Sequence, residues 1–139
     1  MTTDPNCVFC KIVAGTIPCF KLYEDDETLA FMDINPVHDG HCLVIVKAHY
    51  PTLFELPPLA FAAAGRTAIK IAAAVNAAID PDGLNLLQAN GPGAAQSVPH
   101  FHLHILPRRL NDGLAVNWTL KPGDRPRIAA IAERIRAAL

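Results

Sequence analysis

Three histidines occupy alternate positions of one short segment, Pro99-His100-Phe101-His102-Leu103-His104-Ile105-Leu106-Pro107. Side chains of a β-strand point alternately to its two faces. The spacing therefore predicts a strand with His100, His102 and His104 on one face and Phe101, Leu103 and Ile105 in a core. The plain alternative is the wet face of an amphipathic strand, but three imidazoles are a costly filling for such a face. Near neutral pH an imidazole can serve as nucleophile, general acid or base, or metal ligand.

Two further groups of residues could take part. Asn90-Gly91-Pro92-Gly93-Ala94-Ala95-Gln96-Ser97 precedes the histidine segment. Its glycines let backbone N–H groups approach an anion, and Asn90, Gln96 and Ser97 add polar groups. Gly-Pro-Gly is also ordinary turn chemistry, and the loop lacks the Gly-Lys-Ser/Thr of a P-loop. Near the N-terminus stands Cys7-Val8-Phe9-Cys10. Such a pair can be a redox couple, half of a zinc site, or coincidence. A redox couple of the thioredoxin kind wants a βαβ setting, which this end of the chain lacks. Zinc needs two more ligands, and His49 and His100 are available. Cys19 and Cys42 have no partner by spacing, and His38, in a turn-rich loop, reads as a surface residue.

The elements that must position these groups follow from pattern and punctuation. Cys7 to Ala14 reads as a short helix closed by Gly15. Cys19–Glu24 and Thr28–Ile34 read as strands joined by a turn at Asp25-Asp26, and Asn35–Gly40 as a loop. His41 to Lys47 is the strongest strand signal of the first half. Pro58 to Ile79 has helical spacing, with Leu59, Phe61, Ile69, Val75 and Ile79 as its larger apolar residues. Leu84 to Ala89 is a further strand, and Arg125 to Leu139 a terminal helix with Pro126 in its first turn. Strands joined by hairpins and one long helix predict an α+β domain with an antiparallel sheet of about five strands.

A chain of 139 residues that is 51% apolar suits one domain, 1–139, with a proper core. A net charge of −1 gives no reason to expect nucleic acid as a partner. No uninterrupted apolar run has the length of a membrane span, and residues 1–6 lack the character of a signal peptide. A cytoplasmic protein without a membrane partner is expected, with its four cysteines as thiols or metal ligands.

Taken together, Gln96-Ser97-Val98-Pro99-His100-Phe101-His102-Leu103-His104 closely resembles the signature of the histidine triad family of nucleotide hydrolases and transferases. Residues 7–18, 24–36 and 40–47 resemble, in order, the opening, the nucleoside-pocket strand and the following strand of its bacterial members. The resemblance implies a nucleophile at His102 that attacks the α-phosphorus and forms a nucleotidyl-histidine intermediate. It implies that the His100 carbonyl accepts a hydrogen bond from the Nδ1–H of His102, that His104 donates to phosphate or leaving group, and that His41 is a fourth active-site histidine. By the same resemblance Phe9, Ile12, Phe31, Ile34 and Leu43 clamp the base, and Asp33 binds ribose. Asn90, Gln96, Ser97 and Val98 fall in the stretch that holds phosphate and leaving group. Zinc would be held by Cys7, Cys10, His49 and His100, with the His100 ring then withdrawn from acid–base work. A homodimer is implied, paired through the long helix and an adjoining strand, and the alanines on several faces of that helix suit close approach.

The expected activity is hydrolysis of a purine nucleoside phosphoramidate. A dinucleoside polyphosphate hydrolase or phosphorylase of the same superfamily would use the same attack. A nucleotide-binding regulatory module and a metal-sensing or storage protein are rivals of other classes. The segment Arg108–Trp118 is longer than the tail of compact members, so Arg108, Arg109 or Trp118 are candidates for shaping specificity.

Overall fold

The computed structural model describes residues 1–116 and 119–139. Trp118, a specificity candidate from the sequence, therefore lies outside the described residues. In chain order the elements are α1 (Val8–Val13), β1 (Lys21–Glu24), β2 (Thr28–Met32), β3 (Cys42–Val46), α2 (Pro58–Ile79), β4 (Gly83–Leu87), β5 (His102–Arg108) and α3 (Arg125–Arg136). The five strands form one antiparallel sheet in the order β1-β2-β3-β5-β4. The expected α+β class and strand number therefore hold. Most boundaries differ by a residue or two, but one difference matters. β5 begins at His102, so His100 precedes the strand instead of standing on it.

Both faces of the sheet are covered at its centre, which is why all five residues of β3, Cys-Leu-Val-Ile-Val, are buried. One face packs under α2 through Ala30, Val44, Val46, Phe101, Leu103 and Ile105. The other packs under α1 through Leu29, Phe31, Leu43 and Ile45, joined by Cys7, Phe9 and Cys10. His102 pairs across the ladder with Ile45, and His104 with Leu43. Alternation thus puts the strand's two imidazoles on the α1 face, beside this second apolar cluster.

Of the larger apolar residues the sequence picks out on the long helix, Val75 and Ile79 meet the core and Leu59 and Ile69 do not. Leu59 and Ile69 are 81% and 74% exposed, whereas Ala63, Ala64, Thr67, Ala68, Ile71 and Val75 are buried. Small side chains let the helix axis come close to β2, β3 and β5, and they share the inward stripe with Ile71 and Val75. By length and average composition α2 is also apolar enough to cross a membrane. Arg66 and Lys70 interrupt the run, and the helix covers the sheet as a core element.

Gly40 joins the loop after β2 to His41. Its φ of +88° is left-handed, and a Cβ there would meet Ile79 Cγ1 and Pro107 Cγ at 3.0 Å. Gly40→Ala is expected to cost about 2 kcal/mol through backbone strain and crowding. A lower urea midpoint with unchanged slope would report it.

Candidate active site and metal centre

His102 is 3% exposed and stands at the start of β5. Its Nδ1–H donates to the backbone carbonyl of His100 at 2.6 Å. A carbonyl can only accept, so this bond assigns the proton to Nδ1 and leaves the Nε2 lone pair free. Burial holds the ring neutral by pushing its pKa below the usual histidine value. A neutral imidazole with one committed nitrogen has the state a nucleophile needs. The side chain is more enclosed than an open strand face implies, because Phe9 of α1 covers it edge-on at 5.2 Å between centroids.

Beside it, His41 and His104 form a hydrogen-bonded pair. The backbone N–H of Val37 donates to His41 Nδ1 at 3.2 Å. The neutral His41 ring therefore carries its proton on Nε2, which lies 2.9 Å from His104 Nδ1 and 3.3 Å from Asp33 Oδ2. With Nδ1 as acceptor, neutral His104 keeps its own proton on Nε2 and can donate it. These three side chains are close enough to hold a metal ion, but the proton on His41 Nε2 occupies the position a metal would need. The arrangement is that of a hydrogen-bond chain.

Burial lowers the His104 pKa to about 4, with His102 and His41 adding to the effect and Asp33 opposing it. The folded state thus binds this proton more weakly than the unfolded chain, whose histidines titrate near 6.5. Stability from this group is complete above pH 6.5 and is lost as pH falls towards 4. Turnover with an acid limb below pH 5, instead of near 6.5, is the expected profile of kcat/KM.

The phosphate-loop candidates divide. Asn90 accepts from the Leu53 N–H at 2.7 Å and exchanges two hydrogen bonds with Gln88. Gln96 accepts from the Gly91 N–H at 2.8 Å and donates to the carbonyls of Pro51 and Val98. Both brace the loop. Ser97 is exposed and Val98 packs on the α1-face cluster. Phe9, Phe31 and Leu43 are buried in that cluster, and Ile12 packs against it. Ile34 does not join them, being 76% exposed. Asp33 gives one oxygen to the Asn35 N–H at 2.8 Å and turns the other towards His41.

Cys7, Cys10, His49 and His100 converge on the other side of His102, with one donor atom each within 4.8 Å of the rest. His100 is fully buried, and its Nε2–H donates to the Val46 carbonyl at 2.7 Å. That leaves Nδ1 as the lone-pair nitrogen, 3.4 Å from Cys7 Sγ, 3.7 Å from Cys10 Sγ and 3.3 Å from His49 Nδ1. Burial pushes the Cys7 thiol pKa up. Two sulfurs and two imidazole nitrogens around one point are a closed tetrahedral donor set. Asp4 was not foreseen as part of this site. Its N–H donates to Cys10 Sγ at 3.4 Å, and its carboxylate lies 4.0 Å from His49 Nε2. Its distance from His49 in sequence leaves no local signal for that contact.

Arg108 and Arg109 are both engaged within the chain. Arg108 makes a two-pronged ion pair with Asp112 at 2.7 and 2.9 Å and also donates to Asn85 and the Leu114 carbonyl. Arg109 donates to the carbonyls of Ile79 and Asp80 that end α2. His38, expected at the surface, is half-buried with Nε2 3.2 Å from Asp112. The cavity of about 670 Å³ beside Arg108 is lined by these structural contacts and contains none of the triad.

A family model described as HIT domain matches residues 14–111. The chain is 46% identical over 120 residues to the adenylylsulfatase HINT3 of Arabidopsis thaliana, covering 86% of this chain and 61% of that protein. It is 41% identical over 135 residues to the adenosine 5'-monophosphoramidase hnt1 of Schizosaccharomyces pombe, covering 96% and 98%. A crystal structure of a HIT family protein from Bacillus anthracis superposes with a TM-score of 0.90 at 41% identity, covering 99% of both chains. A Zn-bound histidine triad family protein from Mycobacterium smegmatis gives 0.75 at 37%, covering 95% of this chain and 97% of that one.

Proposed function

The chain belongs to the HIT domain family, and on this footing we propose that it is a nucleotide hydrolase that cleaves purine nucleoside phosphoramidates at the α-phosphorus. The observation that carries the reading is the hydrogen bond from His102 Nδ1–H to the His100 carbonyl. It leaves one neutral imidazole with a free Nε2 beside a second imidazole able to donate. His102 Nε2 bonds to the α-phosphorus as the bond from phosphorus to the amine nitrogen breaks. The departing nitrogen takes a proton from solvent and leaves as the amine, while the neutral His104 Nε2–H donates a hydrogen bond to the phosphoryl oxygens. Water then attacks the same phosphorus, the bond to His102 breaks, and the water's proton goes to solvent. Phe9, Ile12, Phe31 and Leu43 offer an apolar wall for the base, with Asp33 nearby for ribose hydroxyls.

Relatives named for a phosphoramidase and an adenylylsulfatase support hydrolysis at an adenylyl phosphorus with different leaving groups. Initial rates on adenosine phosphoramidate, adenosine phosphosulfate and a diadenosine polyphosphate test the reading. A kcat/KM highest for the phosphoramidate is expected. Preference for the diadenosine compound would move the chain to the polyphosphate branch, and binding of AMP without turnover of any substrate would make it a regulatory module.

Cys7, Cys10, His49 and His100 fit zinc by donor type, by convergence and by the tautomer of His100. With four protein donors, zinc there has no position for substrate and supplies structure. The zinc-bound relative supports this. Cysteines held as thiols or metal ligands suit a reducing, cytosolic compartment. The exposed Leu59 and Ile69 on α2 and Leu86 on the edge strand β4 support a two-fold dimer. Light scattering at micromolar concentration is expected to give twice the chain mass, and monomer mass alone would remove this reading.

A further inference from the structure

The two constellations share parts. The His100 ring directs Nδ1 to the metal donors, while the His100 carbonyl sets the proton on His102. Helix α1 and the residue that caps its N-terminus contribute Cys10 and Cys7 to the metal side, and between them Phe9, whose ring meets His102 at 5.2 Å, His100 at 5.8 Å and Phe31 at 5.5 Å, each edge-to-face. With six residues, α1 is far too short to hold its own conformation. Its position comes from what it is tied to. The preceding segment is tied to His49, itself a metal donor, through the Thr2 hydroxyl on the His49 carbonyl and the His49 N–H on the Thr2 carbonyl.

We propose that Phe9 and His100 couple the zinc centre to the nucleotide site, so that zinc and nucleotide each favour the same closed placement of α1 on β5. The metal is then a positioning device for the site as well as a staple of the fold. Phe9 and His100 are positioning residues, since they act through the nucleoside wall and through His102. The inference rests on the nucleotide reading above and on the four-donor site.

Linkage makes the test independent of turnover and of a folded metal-free protein. If nucleotide and metal favour one state, each raises the other's affinity by the same factor. Zinc affinity of the full chain is measured against a chelating competitor, with free zinc buffered, in the absence and presence of saturating AMP. AMP is expected to tighten zinc about tenfold, within the usual range of such couplings. In Phe9→Leu, which keeps all four donors, about one equivalent of zinc should still bind, with the AMP effect reduced to within twofold. AMP that binds the zinc-loaded chain yet leaves zinc affinity within twofold overturns the coupling and leaves the nucleotide reading standing. Full coupling retained in Phe9→Leu overturns the assignment to Phe9. A zinc-loaded chain that binds no AMP defeats the nucleotide reading and this inference with it, and a chain that binds no zinc defeats this inference alone.

Discussion

His102→Asn is expected to lower kcat on the best substrate by roughly 10⁴–10⁶-fold, the scale on which loss of a nucleophile is felt elsewhere. No neighbour can take over, because the bond to phosphorus is made by the Nε2 of this ring, and His104 and His41 have their facing nitrogens committed to each other at 2.9 Å. Asparagine suits the test better than alanine. The ring is buried under Phe9, so alanine would leave a cavity, whereas the asparagine amide can still donate to the His100 carbonyl. AMP affinity and melting temperature should stay near those of the parent. His104→Ala should cost less, about 10²–10³ in rate, since it removes a donor and not the bond-forming atom. Quench-flow or steady-state rates on adenosine phosphoramidate decide the matter. A His102→Asn protein within tenfold of the parent would remove His102 as nucleophile and leave a binding module as the better reading.

The second large effect is expected at the metal centre. Cys10→Ser should reduce bound zinc from about one equivalent to less than a tenth, because a hydroxyl is a poor substitute for thiolate in a closed zinc site. Binding free energy at a structural zinc site is folding free energy, about 10–16 kcal/mol in zinc-finger peptides that have little else to hold them. This chain has two apolar clusters of its own, so only part of that is expected as stability. A loss of about 3–4 kcal/mol corresponds to a melting temperature lower by roughly 10 °C for a domain of this size. Metal analysis and calorimetry on the same preparation read both quantities. Equal zinc content in parent and variant would place the metal elsewhere, and equal melting temperatures would deny it a structural role.

The terminal parts of the chain respond to other forces. Asp112 holds Arg108 in a two-pronged pair, and the guanidinium keeps the Asp112 carboxyl far below the usual carboxylate range. This staples the turn after β5 to β4 through Asn85. Arg108 and Arg109, the two arginines the sequence offers as candidates for specificity, are both engaged in contacts within the chain. α3 has no buried residue of its own.

What the sequence could determine by itself is whatever repeats along the chain. A period of two predicted His102 and His104 on one face and Leu103 and Ile105 on the other, and the strand shows that alternation. Helical spacing bounded by Pro58 and by Asp80-Pro81 predicted α2 at both its ends. Local order of this kind depends on neighbours a few residues away, and the sequence displays those neighbours directly. Tertiary structure decided which side chains meet. His41 and His104 are 63 residues apart, and Cys7 and His100 are 93 apart. Their contacts come from the insertion of β5 between β3 and β4 and from α1 folding back over the sheet. The same holds in part for α2, whose buried stripe joins Ala63, Ala64, Thr67 and Ala68 to Ile71 and Val75, because the surface it meets is a sheet whose closeness no helical period encodes. The state of the catalytic candidate belongs to this class as well. A histidine in a strand can carry its proton on either nitrogen, and only the carbonyl that the fold brings to 2.6 Å from Nδ1 selects one of them.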